Sequence, residues 1–398
     1  MNAGSRHAGR HPFAGPPPSI STAQLPAANL PPGRAVKLAG GCEIGIDVIP
    51  SPCSDSLPGT ITKERPPTII FTITTTISMS LGRHFTLNTG AKIPGVGFGT
   101  FANEGAKGQT YTAAIAALRA GYRHLDCAWF YKNEDEVGQA IRDFLAEDKS
   151  VKREDLFIVT KVWNHLHRPE DVEWSCKSSL KNLGLDYLDL YLVHWPIAAE
   201  KDEHNEPKIG EDGKYVILKD LTENPEPTWR AMEKLQRDGL TKAIGVSNWT
   251  IRRLKELLAI AEIPPAANQV ELHPFLPQPD LVKFCLDNKI LPIAYSPLGS
   301  QNQVPTTGER LLQDKTLISL SEKLNQPLAN ILISWAVQRG YACVPKSSTP
   351  SRIAANFQDL ELSEDDMKVI NGVAEGRNVR FVNMKDTFGY DVWETEEQ

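Results

Sequence analysis

Residues 156–196 read LFIVTKVWNHLHRPEDVEWSCKSSLKNLGLDYLDLYLVHWP. Leu156 to Thr160 is a short apolar run with the residue types of a strand. A helical pattern follows near 169–183, and Tyr187 to Val193 is apolar again. Strands this apolar are buried on both faces, as in a parallel sheet covered by helices. The stretch therefore reads as one strand–helix–strand unit.

The unit repeats in both directions. Upstream lie a strand at Val96–Phe98, a helix over 108–120, a strand at Tyr122–Leu125 and a helix over 134–147. Downstream, a polar excursion at 199–223 precedes a helix at 224–238. Strands at Ala243–Val246, Ala267–Val270, Ile290–Tyr295 and Ala342–Pro345 then alternate with helices at 250–261, 278–287, 313–324, 327–339 and 350–357. A hairpin precedes the series, with Phe85 to Leu87 and Lys92-Ile93 joined through Asn88-Thr89-Gly90. Eight strands, each followed by helix, predict an α/β fold: a (β/α)8 barrel with an N-terminal β-hairpin. A doubly wound sheet would need a GxGxxG turn after its first strand. The one candidate, Gly95-Val96-Gly97-Phe98-Gly99, has the wrong spacing. It reads instead as a strand packed closely on its neighbours.

Composition narrows the function. The 398 residues carry 43 basic and 49 acidic side chains, for a net charge of −6. That balance argues against a general nucleic-acid binder. No apolar run approaches the roughly 20 residues that span a bilayer. Six cysteines (Cys42, Cys53, Cys127, Cys176, Cys285, Cys343) form no CxxC pair. Their scatter argues against a disulfide scaffold or a zinc cluster and points to a reducing compartment, the cytoplasm.

Residues 1–78 differ from the rest. They hold 12 of the 29 prolines and a net charge of +2, and they read as a Pro-rich, disordered tail. The barrel domain is placed at 79–398. Met79-Ser80-Leu81-Gly82 runs directly into the first strand pattern, so Met79 is expected to be the dominant start. The acid-free opening is a trait of transit peptides, but the prolines break the amphipathic helix that import needs.

Barrel enzymes carry their chemistry at the C-terminal ends of strands. The second strand ends at Asp126, the third at Lys161 and the fourth at His194, 35 and 33 residues apart. Tyr131 stands five residues beyond Asp126. Each has an ordinary reading: an Asp126–Lys161 ion pair, a core His194, a Tyr131 that covers the mouth. Together, on successive strands, they make a chemical group. A phenol titrates near about pH 10, and an adjacent ammonium lowers that value. A carboxylate keeps the ammonium charged, and a neutral imidazole orients a carbonyl oxygen. Such a site acts as a general acid toward a carbonyl, and the hydride must come from a cofactor.

Three motifs carry a family resemblance: Gly121-Tyr122-Arg123-His124-Leu125-Asp126 with Tyr131-Lys132-Asn133-Glu134; Leu185 to Tyr191 with His194-Trp195-Pro196; and Val344-Pro345-Lys346-Ser347. Over about residues 84–360 the chain resembles the aldo-keto reductase superfamily. The resemblance implies a barrel that holds NADP(H) across its mouth, with Tyr131 as proton donor, Lys161 and Asp126 tuning it, and His194 steering substrate. It implies cofactor contacts from Gly99, Thr100 and Phe101, from Ser247, Asn248 and Gln269 to the carboxamide, from Tyr295 stacked on the nicotinamide, and from Ser296, Leu298 and Ser300 near the pyrophosphate. Capping of the next helix is the ordinary alternative for Ser247-Asn248.

Lys346, Ser347, Arg352 and Asn356 are matched to the 2′-phosphate end. A cation, a guanidinium and hydroxyl donors suit a phosphate. No acid lies in 345–357 to hold a free ribose hydroxyl, so NADPH is preferred over NADH. Ala355 replaces an acid that contacts adenine in many relatives. Phe101, Phe130, Trp163 and Trp195, with His194, are expected to wall the substrate pocket. A C-terminal loop over 376–398, with Arg380, Phe381 and Trp393, forms a variable lid.

The opening residues from Met79 resemble fungal members, among them NADP-dependent glycerol dehydrogenases and aldehyde reductases. The expected activity is NADPH-dependent reduction of small aldehydes, reversible as polyol oxidation. The rival is a non-catalytic NADPH-binding redox sensor or channel-associated subunit. The expected partner is a small carbonyl or alcohol, with no metal, nucleic acid or membrane, on a monomer or weak dimer.

Overall fold

Eight short parallel strands pair in sequence order: Phe98–Gly99, His124–Asp126, Phe157–Val162, Leu190–Val193, Ile244–Ser247, Ala267–Glu271, Leu291–Tyr295 and Ala342–Cys343. The last meets the first. Val96 bridges Cys343, the Gly97 amide donates to the Cys343 carbonyl at 2.8 Å, and the Cys343 amide donates to Gly95 at 2.8 Å. The sheet thus closes into the expected (β/α)8 barrel. This computed structural model describes the backbone of strands at 36–38, 42–47 and 70–72, and all of residues 82–102, 108–300 and 308–393.

Glycine lets the first strand lie close to both of its neighbours. A Cβ on Gly97 would lie 2.4 Å from the His124 ring, and one on Gly99 would lie 2.9 Å from the Val344 carbonyl. The GVGFG run therefore serves close strand packing rather than a dinucleotide turn.

Two apolar layers follow from the period-two alternation of strands. Phe157, Val159, Leu190, Leu192, Leu291 and Ile293 fill the barrel interior. Their neighbours Ile158, Val162, Tyr191, Val193 and Ala294 face the helices. The hairpin His84–Thr86 with Lys92–Pro94 pairs Phe85 with Ile93. Leu87 and Ile93 join the interior layer and close its N-terminal end.

Helices fall where the pattern put them, including Gln109–Ala120, Glu134–Glu147, Pro169–Leu183, Glu226–Arg237 and Pro350–Asn356. Several short elements went unread, among them the 3₁₀ turn Trp129–Tyr131, the helix Glu364–Val373 capped by Ser363, and the short helix Lys385–Phe388. The excursion after the fourth strand is ordered by bridges Ala199–Ile217, Lys201–Pro207 and Ile209–Tyr215, and ends in a short helix at Lys219–Glu223.

The chain divides into two units, Met1–Ile77 and Ser78–Gln398. In the first, Val36–Leu38, Cys42–Asp47 and Ile70–Thr72 form short antiparallel strands. The proline-rich reading did not foresee them; each lies between prolines and contains none. The rest of the expected tail, and Met79, lie outside the described residues. Among the described residues, no helix is long and apolar enough to cross a membrane.

Candidate active site

Register explains which side chains reach the mouth. Phe157 and Val159 point inward, so Lys161 does too. Leu190 and Leu192 likewise set His194, and Leu291 and Ile293 set Tyr295. Strand pairing places Asp126 opposite Val159 and Lys161 opposite Leu192. Tyr131 arrives differently. It ends the 3₁₀ turn Trp129–Tyr131, its amide donating to Ala128 at 3.0 Å.

The structure brings all four groups together. The Lys161 Nζ donates to Asp126 Oδ2 at 2.8 Å, to Oδ1 at 2.9 Å, to the Cys127 carbonyl at 2.8 Å and to the Tyr131 hydroxyl at 3.3 Å. Lys161 is fully buried, and Asp126 nearly so. Burial opposes the ammonium, but Asp126 and Tyr131 raise its pKa above the ordinary value, so it stays charged. The His194 ring stands edge-on to Tyr131, centroids 6.0 Å apart. Burial, then the Lys161 charge, holds its pKa well below the usual histidine value, and the imidazole is neutral. Its Nδ1 is enclosed and unpartnered among the described residues, which leaves Nε2 to face the mouth.

One expectation is corrected. Burial pushes the Tyr131 phenol up to about 12, and the Lys161 charge pulls it down only in part. Desolvation outweighs the ammonium because Asp126 already neutralises much of that charge.

The carboxamide candidates form one network with these groups. Gln269 Nε2 donates to Asp126 Oδ1 at 2.7 Å. Ser247 Oγ donates to the Gln269 carbonyl at 2.8 Å, and Asn248 Nδ2 to the His194 carbonyl at 3.0 Å. The Tyr295 hydroxyl donates to Asn248 Oδ1 at 2.8 Å. Asn248 sits at φ 63°, a left-handed conformation that asparagine tolerates. The following helix is capped by Thr250, whose hydroxyl accepts from the Arg253 amide. Ser247 and Asn248 are therefore not spent on capping.

Further along the mouth, Thr100 donates from both its amide and its hydroxyl to the Asp126 carbonyl, at 3.1 and 2.9 Å. Phe101 is 44% exposed at the rim, edge-on to Tyr131 at 5.2 Å. Beyond Tyr295 the chain turns at Ser296 (φ 48°) and Gly299 (φ 68°), with Leu298 and Ser300 half-buried. Lys346 continues the inward register of Ala342 and Val344. Burial lowers its pKa from the usual lysine value. Ser347 accepts from the Thr349 amide at 3.2 Å, Arg352 is exposed, and Asn356 is buried.

Aromatic rings line the space before His194. Phe130 stacks on Trp163 at 3.9 Å, and Trp163 meets the His194 ring edge-on at 4.8 Å. Trp195 packs against Phe388 at 5.3 Å and Trp393 at 6.3 Å. Trp163 Nε1 donates to the Tyr215 hydroxyl at 3.3 Å.

The Aldo/keto reductase family profile matches residues 95–375. The chain belongs to the aldo/keto reductase family. It is 67% identical over 313 residues to glycerol 2-dehydrogenase (NADP(+)) of Hypocrea jecorina, covering 79% of this chain and 98% of that protein. It is 44% identical over 308 residues to an aldehyde reductase of Saccharomyces cerevisiae, covering 75% and 93%. Among solved structures it is similar to an aldose reductase from Schistosoma japonicum, with TM-score 0.71, 35% identity, and 79% and 99% covered.

As an aldo/keto reductase, this chain shows further residues that its sequence did not disclose. Glu271 is fully buried. Its carboxylate accepts from the Phe381 amide at 2.7 Å, the Val382 amide at 2.9 Å and His273 Nε2 at 2.8 Å. It thereby fastens the C-terminal segment that carries Phe388 and Trp393. A signal was present, since Glu271 shares the inward register of Ala267 and Gln269. Tyr215 and Phe388 lie in stretches without strand or helix period, and nothing local marked them.

Proposed function

We propose that this chain is an NADPH-dependent oxidoreductase that reduces small aldehydes, glyceraldehyde-like ones included, and in reverse oxidises polyols such as glycerol. The carrying observation is the Lys161 ammonium, bonded at once to the Asp126 carboxylate and the Tyr131 phenol beside a neutral His194. The names of the fungal glycerol dehydrogenase and the yeast aldehyde reductase support the same reading.

NADPH, when bound, supplies the hydride that adds to the carbonyl carbon. The residues fit that group. Lys346 and Arg352 make no ion pair with any described residue, and no acid stands between 345 and 357 to repel a phosphate. Lys346, Ser347, Arg352 and Asn356 would hold the 2′-phosphate end. Gly99, Thr100, Phe101, Ser296, Leu298 and Ser300 would border the body of the cofactor. Ser247, Asn248, Gln269 and Tyr295 would hold the nicotinamide end.

The chain's own part is proton transfer and orientation. His194 donates from Nε2 to the carbonyl oxygen and aims it at Tyr131. Tyr131 gives its phenolic proton to that oxygen as negative charge develops there. Lys161 stabilises the phenolate left behind, and Asp126 keeps Lys161 charged and in place. Alcohol oxidation uses the same groups with the proton returning to Tyr131. Phe130, Trp163 and Trp195 exclude water around the reacting atoms.

The proposed setting is the cytoplasm, and the proposed working form is a monomer or weak dimer. A panel of aldehydes and polyols, assayed with NADPH and NADH, tests the function. Aldehyde-dependent NADPH consumption is expected, with NADH much poorer at matched concentration. Cofactor binding without turnover would sink the reading.

A further inference from the structure

Tyr215 lies in the bridged excursion that follows the fourth strand, 21 residues beyond His194. Its place is fixed from two directions. Its amide donates to the Thr387 carbonyl at 3.0 Å, and its ring packs on Phe388 at 5.4 Å. Trp163 Nε1 donates to its hydroxyl at 3.3 Å.

That last bond has a definite polarity. An indole N–H is a donor only, so the Tyr215 oxygen is the acceptor and its own proton points elsewhere. No described residue takes that proton. The phenol is half-buried, and burial raises its pKa, so the proton is retained at neutral pH. A polar donor thus stands among rings that otherwise offer mostly carbon. Trp163 also fixes where it stands. The same indole meets the His194 ring edge-on at 4.8 Å. One indole therefore touches both the imidazole that orients the carbonyl and the Tyr215 hydroxyl, so the two polar groups are held on the same aromatic wall.

We propose that Tyr215 is a specificity-determining residue: its hydroxyl donates to a hydroxyl of a short polyhydroxylated carbonyl substrate and selects it over an alkyl aldehyde of equal length. This rests on the reading of the chain as an aldehyde reductase. Unpaired, the Tyr215 proton gives an alkyl chain nothing, while a substrate hydroxyl gains one hydrogen bond in a partly desolvated site.

The test is Tyr215→Phe in the full chain, with steady-state kinetics on glyceraldehyde and on propanal under saturating NADPH. KM for glyceraldehyde is expected to rise about tenfold with kcat nearly kept. Both constants for propanal are expected to stay within about twofold, and that turnover reports a folded, competent barrel. An equal loss on both aldehydes would overturn the proposal, as would an unchanged preference for glyceraldehyde. If the variant does not fold, Tyr215→Leu and Tyr215→His are compared on the same pair. Recovery of glyceraldehyde preference by the donor-bearing His alone is expected, and no difference between them would overturn the proposal. Turnover of neither aldehyde by the unaltered chain would remove the reductase reading itself, and the role of Tyr215 with it.

Discussion

Gln269 donates its side-chain amide to Asp126 at 2.7 Å, across the barrel and 143 residues away in the chain. The same carboxylate holds Lys161 through both of its oxygens. Groups matched to the nicotinamide and groups matched to proton transfer therefore share one anion. Through Ser247, Asn248 and Tyr295 the network continues to the seventh strand. A change at one member is felt by the others, so their mutational effects should not add.

Tyr131→Phe removes the proton donor and keeps the ring that packs edge-on against Phe101. The expected outcome is a fall in kcat for aldehyde reduction of about 10² to 10⁴, with NADPH binding retained in a fluorescence titration. Near-normal kcat would exclude Tyr131 as the acid.

The pH profile follows from two shifts. The Tyr131 phenol, pushed up to about 12, stays protonated through neutrality, and the depressed His194 stays neutral. Aldehyde reduction at fixed cofactor saturation should be nearly flat from about pH 6 to 9 and fall only on the alkaline side, where the phenol ionises. Lys161→Met removes the charge that favours the phenolate, so its weaker activity should lose its alkaline limb at higher pH still. A limb that moved to lower pH would contradict this coupling.

Acid should unfold the protein through its histidines. Burial lowers His124 and His165 to about 4 and His167 to about 3, and burial with the Lys161 charge holds His194 well below its usual value. The unfolded chain binds these protons near about pH 6.5 and the native state does not. Stability is therefore complete above that pH and is lost as pH falls toward the depressed values, by about 1.4 kcal/mol per pH unit for each fully buried histidine. Chemical denaturation at pH 7 and pH 5 measures the slope, and equal stability at both would refute it.

Glu271→Gln takes an anionic acceptor away from the Phe381 and Val382 amides and from His273. The expected cost is about 2–3 kcal/mol, felt first in the C-terminal segment. Limited proteolysis should cleave that segment faster in the variant while the barrel survives. Unchanged cleavage would show that the carboxylate is not its anchor.

Much of this was legible in the sequence, for reasons of period. Asp126, Lys161 and His194 stand at or just beyond the C-terminal ends of apolar strands whose alternation decides which side chains point inward, and strand spacing placed them on one rim. Other features depend on contacts that leave no local trace. Glu271 meets Phe381 across 110 residues, and Tyr215 reaches Trp163 from a polar stretch without pattern. The ionisation of Tyr131 turns on burial set against a neighbouring charge, which only three-dimensional placement reveals. The helix Glu364–Val373 did carry a sign, Ser363 capping the Asp366 amide, but it stands outside the strand–helix alternation that guided the reading.

Glu271 has one more implication. The segment it pins supplies Phe388 and Trp393, while the reacting groups stand on strands and a turn that this segment does not build. Rewriting that stretch of some twenty residues would thus reshape the wall the substrate meets while leaving the proton-transfer groups on their strands and turn.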